Sequence, residues 1–412
     1  MATIYQNSIL TIAATKSKNG DGGCFISTPD LPGIDVLHPH TQIPTGLFSR
    51  RQIIHWPQHS ESQPKVDHWA LSKRAWTVQE ELLSPRVVYY GPEEVIWQCN
   101  TSCKCQCGTI GDHEFDKILY NPDASNGFLD KSLYASFINK DPLSDLISRE
   151  SLSSLDFLWH KIVVEYSSRQ LTKEIDRLPA LSGLSKQVQA AGLALVAGVP
   201  PAYIHRWLMW RPSGVIAERR PAFIAPSWSW ASYPSSHTLI FQGSLSQTIV
   251  YETPMWQDGT EFKAIAQFLG ITSEAAGMDP NGAVRFSRLS LYTYVASAAL
   301  GFQGGITPQG AELALERNVY RRSLDYAEDH QTIVLPRYDQ QTKLGVTSGK
   351  EVLCALISCG ATTDGSNNIR TYCLILNAVQ DSTYQRVGTL TYDWSEKKLP
   401  WDGFELRKIT II

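Results

Sequence analysis

The hydrophobic patterning of this chain predicts an α+β fold, on three observations. Residues 72–90 read as a short helix running straight into a strand. Residues 155–166 repeat apolar side chains at helical spacing, and beyond residue 232 the spacing changes to period two. Three regions follow: an α/β-like core over 1–110, a polar excursion and helical region over 111–212, and a β-rich region over 213–412.

Taken in order, residues 4–15 form a β-rich apolar run, expected as a buried strand, that ends in the Gly-rich turn 16–25. Residues 29–63 are rich in Pro, His and Ser and read as loop, with an isolated strand over 46–54. In the helix that follows, Ser72 is placed to cap the first amides and Pro85 to stop the ladder. Ala75, Trp76, Val78, Leu82 and Leu83 share one face, while Lys73, Thr77 and Glu81 point away. Gln79 projects into the apolar arc. Glu80 sits at its edge, one turn after Trp76, where an aromatic wall desolvates a carboxylate.

Segments 87–90 and 94–99 flank Gly91-Pro92 as two β segments joined by a tight turn, and residues 111–152 turn polar and irregular. Leu155, Leu158, Trp159, Ile162, Val163 and Tyr166 then mark the most regular helix, packed by one face. A second helix opens at 176–184 with Pro179 in its first turn, and 203–210 reads as a third, aromatic one. Strands are expected at 238–251, 284–296, 352–357, 371–378, 386–392 and 404–411.

Composition narrows the partners. With 43% hydrophobic residues, 12 Trp and 17 Tyr in 412 residues, the chain can fill more than one core. A net charge of −3 offers no general attraction for nucleic acid or anionic lipid, so neither is an expected partner. The longest apolar region, 190–204, is broken by Gly198 and Pro200-Pro201 and falls short of the roughly 20 residues a bilayer helix needs, so no membrane span is expected. The first eight residues lack a positive flank and an apolar core, and eight cysteines are too sparse for a disulfide scaffold. A reduced, cytoplasmic setting is the expectation.

Arg74-Ala75-Trp76-Thr77-Val78-Gln79-Glu80, followed by Leu82-Leu83-Ser84-Pro85-Arg86 and a Tyr-rich strand, resembles the signature of the fungal heterokaryon-incompatibility (HET) domain. Residues 166–183, 207–211 and 226–232 resemble later blocks of the same family. The run from Met1 to Cys24 is similar to a segment in the middle of that domain, so the resemblance implies that the family's first half lies outside this chain. It implies a core distantly related to TIR domains, a role in nonself recognition (vegetative incompatibility) that ends in programmed cell death, and a protein partner not identified by sequence. NAD-cleaving TIR members use a helix glutamate four residues after a tryptophan, and Trp76 and Glu80 match that spacing. The resemblance thus implies Glu80 as the catalytic carboxylate, with Trp76 and Arg74 beside it and NAD as substrate. A carboxylate suits an oxocarbenium-like transition state.

Other readings stand beside these. Glu80 also reads as a solvated charge on a helix rim, or a partner for Arg74 or Arg86. The whole chain also reads as a non-enzymatic scaffold, for example beside a fungal secondary-metabolite gene cluster. Cys99, Cys103, Cys105 and Cys107 place four thiols within nine residues. They are candidate metal ligands, but alternate-residue spacing converges poorly on one ion, so zinc is not expected, and thiols or one labile disulfide are. Trp228-Ser229-Trp230 reads as a ligand platform or, in preference, as a strand that buries one ring and lays the other on a helix. No zinc-hydrolase pair, nucleophile elbow, phosphate loop or full dinucleotide fingerprint is present, and the motifs name no particular cofactor.

Overall fold

The structure, a computed structural model, describes residues 2–25, 34–49, 69–108, 131–139, 151–212, 223–234, 239–241, 263–302, 313–315, 318–324, 331–334, 347–361, 369–394 and 404–412. The expected strand residues 50–54 and 242–251, and the polar excursion at 111–130 and 140–150, lie outside them. The chain is of mixed α+β class and divides into two compact units, Met1–Asp141 and Pro142–Ile412.

In the first unit, α1 (Ala2–Gln6) precedes a short β1 (Thr11–Ala13), and β2 (Ile34–Leu37) pairs antiparallel with β3 (Pro44–Ser49). Next come α2 (Trp76–Leu83), β4 (Arg86–Tyr90), β5 (Val95–Cys99), β6 (Cys103–Cys105) and α3 (Lys131–Asn139). A four-stranded sheet runs β1-β4-β5-β6, with β1 parallel to β4 and the other pairs antiparallel. Its core holds Ala13, Trp69, Val87, Tyr89, Ile96 and Cys103. Gly91 is required at the β4–β5 turn, because a Cβ there would lie 2.9 Å from the Glu94 carbonyl and 3.0 Å from the Trp69 ring.

The expected strand at 4–15 is only partly formed. Asn7 Nδ2 donates to the Thr3 carbonyl (2.9 Å) and Ser8 Oγ to that of Tyr5 (2.8 Å), so local bonds hold a helical turn against the β propensity of the run. Only the end of the run is buried: Ala13 is in the core, whereas Ile9 is 84% and Ile12 58% exposed. Ser72 does not cap α2. It lies buried in a 3-10 turn, Leu71–Lys73, and Arg74 is extended (φ −86°, ψ 126°), so the helix starts afresh at Trp76. Thr77, expected to face solvent, is buried, and its Oγ1 donates 2.7 Å to the Arg74 carbonyl.

Helix α2 stops before Pro85 as expected, and its last carbonyls are satisfied by side chains. Ser84 Oγ donates to Glu80 (2.6 Å), and the buried Lys131 Nζ donates to Glu81 and Leu82. An ammonium at this end also complements the helix dipole.

The second unit opens with α4 (Ser151–Ser167), whose Leu155, Leu158, Trp159, Ile162, Val163 and Tyr166 are all buried. The expected second helix becomes two 3-10 turns, Glu174–Asp176 and Pro179–Leu181, leading into α5 (Ser182–Ala190). The third shrinks to a 3-10 turn and α6 (Ile204–Trp207), after which β7 (Trp210–Pro212) pairs with β8 (Leu239–Phe241).

Ten further strands lie among the unit's described residues: β9 (Lys263–Ala264), β10 (Gln267–Ala275), β11 (Val284–Phe302), β12 (Leu313–Leu315), β13 (Asn318–Leu324), β14 (Gln331–Val334), β15 (Thr347–Ala361), β16 (Ile369–Gln380), β17 (Thr383–Trp394) and β18 (Glu405–Ile411). The sheet runs β10-β11-β15-β16-β17-β13-β12. Strand β18 pairs antiparallel with β11 and, over Thr383↔Thr410 and Tyr384↔Ile411, parallel with β17. That short seam closes β11, β15, β16, β17 and β18 into a barrel-like ring. Cys354, Leu356, Cys373 and Ile375 lie in its core cluster.

Residues 226–232 are not a strand. Pro226 and the cap in which the Ala231 amide donates to Ser229 Oγ (3.1 Å) fold them into a turn and a 3-10 segment, and both Trp228 and Trp230 are wholly buried. Among the described residues no helix is long and apolar enough to cross a membrane.

Candidate functional site

Glu80 stands near the end of α2, four residues and one turn after the half-buried Trp76. Burial pushes its carboxyl above the ordinary range. A hydrogen bond from Tyr5 and the charge of Arg74 pull it back, and neighbouring Glu81 adds to the rise. The Tyr5 hydroxyl is raised in turn, by burial first and then by the Glu80 charge. Helix α1 carries Tyr5 and lies against α2, and Arg74 is exposed on the extended residue that precedes α2. The structure therefore gathers Glu80, Tyr5 and Arg74 at one point of the first unit. The other expected partner, Arg86, turns elsewhere: its Nη1 donates to the Ile9 carbonyl (3.5 Å).

A half-buried carboxylate with a phenol donor and an exposed guanidinium can accept a proton or steady a developing cation, and it offers an anion anchor. Tyr5 escaped sequence reasoning because it lies in the run read as a strand, far from α2 in the chain. The signal that could have found it is the pair Asn7-Ser8, whose side chains close a helical turn there.

The four cysteines part company. Cys99 Sγ meets Thr101 Oγ1 at 3.5 Å; burial raises that thiol, but contacts with Thr101 and Ser102 outweigh it and leave it lowered. Cys103 is buried in the sheet core. Cys105 and Cys107 meet, Sγ to Sγ, at 3.2 Å, and their neighbour is the buried Glu94, whose Oε2 accepts the Cys107 amide at 2.9 Å. Glu94 was not read from the sequence. The β5–β6 register, Ile96 opposite Cys105, brings residue 94 opposite 107, but that register was hidden while 103–105 was not read as a strand.

The Trp228-Ser229-Trp230 segment offers no ligand platform. Trp159 Nε1 and Trp230 Nε1 both donate to the Gly198 carbonyl, at 2.9 and 2.8 Å, and Trp210 Nε1 donates to that of Trp228 (3.2 Å). Gly198 has φ +77°, a left-handed conformation that glycine adopts without strain. Both rings of the motif are core.

Comparison with protein-family models, with curated proteins and with solved structures finds no match.

Proposed function

We propose that this chain is a HET-type cytoplasmic protein of fungal nonself recognition, whose Glu80 site cleaves the nicotinamide–ribose bond of NAD and so commits the cell to death. The observation that carries this reading is the half-buried Glu80 carboxylate, bonded by Tyr5 and faced by Arg74. The HET-like blocks at 74–86, 166–183 and 226–232 support the family.

In this mechanism the ionised Glu80 stabilises positive charge on the ribose as the C1′–N bond breaks. The bonding pair leaves with nicotinamide, water adds at C1′, and its proton passes to solvent. Tyr5 orients the carboxylate, and exposed Arg74 suits a diphosphate better than a lysine would, because its fork binds two oxygens.

The test is nicotinamide release from NAD by purified protein. Glu80→Ala is expected to lower the rate by about 10²–10³-fold with the fold intact. No release by the wild type, or equal release by the variant, overturns the proposal.

One observation favours a scaffold instead. Ile4, Ile9 and Ile12 are exposed along α1 and β1, and β1 is the outermost strand of its sheet. On that reading Ile9→Lys with Ile12→Lys abolishes the cellular phenotype while Glu80→Ala preserves it.

A further inference from the structure

The turn that follows β6 is built to hold three donor groups together. Gly108, at φ +76°, closes it by donating its amide to the Cys105 carbonyl (3.1 Å). Gln106 anchors it to the neighbouring strand twice: its amide donates to the Val95 carbonyl (3.0 Å), and its Oε1 accepts the Val95 amide (3.3 Å). The Cys107 amide fixes the Glu94 carboxylate from the other side. As a result one Glu94 oxygen and the sulfurs of Cys105 and Cys107 all lie within 4.8 Å of one another.

We propose that Glu94, Cys105 and Cys107 form a zinc site. Two thiolates select a borderline-soft ion over calcium or magnesium, and a buried carboxylate beside two sulfurs supplies the charge that a divalent cation neutralises. The separation of the sulfurs agrees. At a Zn–S bond of about 2.3 Å, tetrahedral geometry sets two sulfurs about 3.8 Å apart. The observed 3.2 Å needs only a small opening to reach that, whereas a disulfide at about 2.05 Å needs the sulfurs to close by more than an ångström. Three protein ligands leave a fourth position for water or an incoming ligand. Cys99 and Cys103 stand outside the set, one engaged with Thr101 and the other in the core. An ion here would also pin the outer strand β6 to β5. The site is independent of the Glu80 reading.

The full chain, reduced and stripped with a chelator, is titrated with Co²⁺ and then Zn²⁺. The expected result is a near-ultraviolet thiolate-to-cobalt band that stoichiometric Zn²⁺ bleaches. Cys107→Ser and Cys105→Ser lose the band, Cys99→Ser keeps it, and Glu94→Gln weakens zinc binding by at least ~10-fold, circular dichroism confirming that each variant is folded. Cys107 lies in the turn beyond β6, so its variant decides the matter where Cys105→Ser disturbs the core. The proposal is overturned by a wild type without the band, by a band that survives in Cys107→Ser or vanishes in Cys99→Ser, or by oxidised glutathione converting Cys105 and Cys107 to a disulfide as fast with stoichiometric Zn²⁺ present as without it.

Discussion

His160 shows most clearly how one buried side chain ties this protein to pH. It lies on the buried side of α4, edge-on to Trp207 (6.2 Å between centroids), and burial, reinforced by the charges of Arg206 and Lys161, holds its pKa well below 6.5. The folded protein therefore binds fewer protons than the unfolded chain between that depressed value and 6.5, and stability is lost as pH falls through this window. Asp156 acts in the opposite sense: burial raises its carboxyl despite Arg206 Nη1 at 2.6 Å and Trp207 Nε1 at 2.5 Å. Its contribution thus falls as pH rises from 3.8 toward its folded value. Urea midpoints of wild type and His160→Gln isolate the histidine. The wild type is expected to lose up to about 1.4 kcal/mol per pH unit more than the variant on acidification below 6.5. Parallel curves would refute the assignment. At this scale the sequence was informative where neighbours were local. The partial burial of Glu80 was legible because Trp76 stands one turn away, whereas Tyr5 reaches it through the packing of α1 on α2 and Glu94 reaches the cysteines through the β5–β6 register, neither of which local spacing records.

Among elements, α2 depends on a residue nearly fifty positions downstream. With no glycine after Leu83, its last carbonyls rely on Ser84 and on the buried Lys131. Lys131→Met keeps the unbranched stem, one atom shorter, and removes the donor, leaving the carbonyls of Glu81 and Leu82 without that partner. We expect a loss of about 1–3 kcal/mol in urea denaturation and faster amide exchange in the last turn of α2. An unchanged midpoint would show that water serves as well. Period placed α4 in the sequence, because burying one face of a long amphipathic run leaves few alternatives, and Pro85 placed the end of α2. The failures were short. Residues 4–15 carry β propensity that two local side-chain bonds override, and residues 226–232 alternate tryptophans at a strand's period while Pro226 and the Ser229 cap dictate a turn.

At the scale of whole units, the class and the five strands of the ring were legible, whereas β9, β10, β12, β13 and β14 were not expected from the sequence, and neither was the closure. Alternation identifies a strand but not its neighbour, and the ring depends on β18 reaching both β11 and β17. The closure is reinforced where Ser227 donates both its amide (3.0 Å) and its hydroxyl to the Ile412 carbonyl, while the Ile412 amide donates to Tyr384 (3.0 Å). Ile411 is wholly buried at that seam, and Ile411→Ala is expected to cost about 2–5 kcal/mol, with exchange rising in β18 and β11 before the rest of the ring. Uniform exchange across all five strands would instead place the seam's strength elsewhere. The seam also has a history within each molecule. Leu289 pairs with Ile411, more than a hundred residues further along the chain, so the ring stays open until β18 has been made. For the whole of that interval the edges of β11 and β17 are available to strands of other chains, and the hazard of misassembly is set by the pace of synthesis.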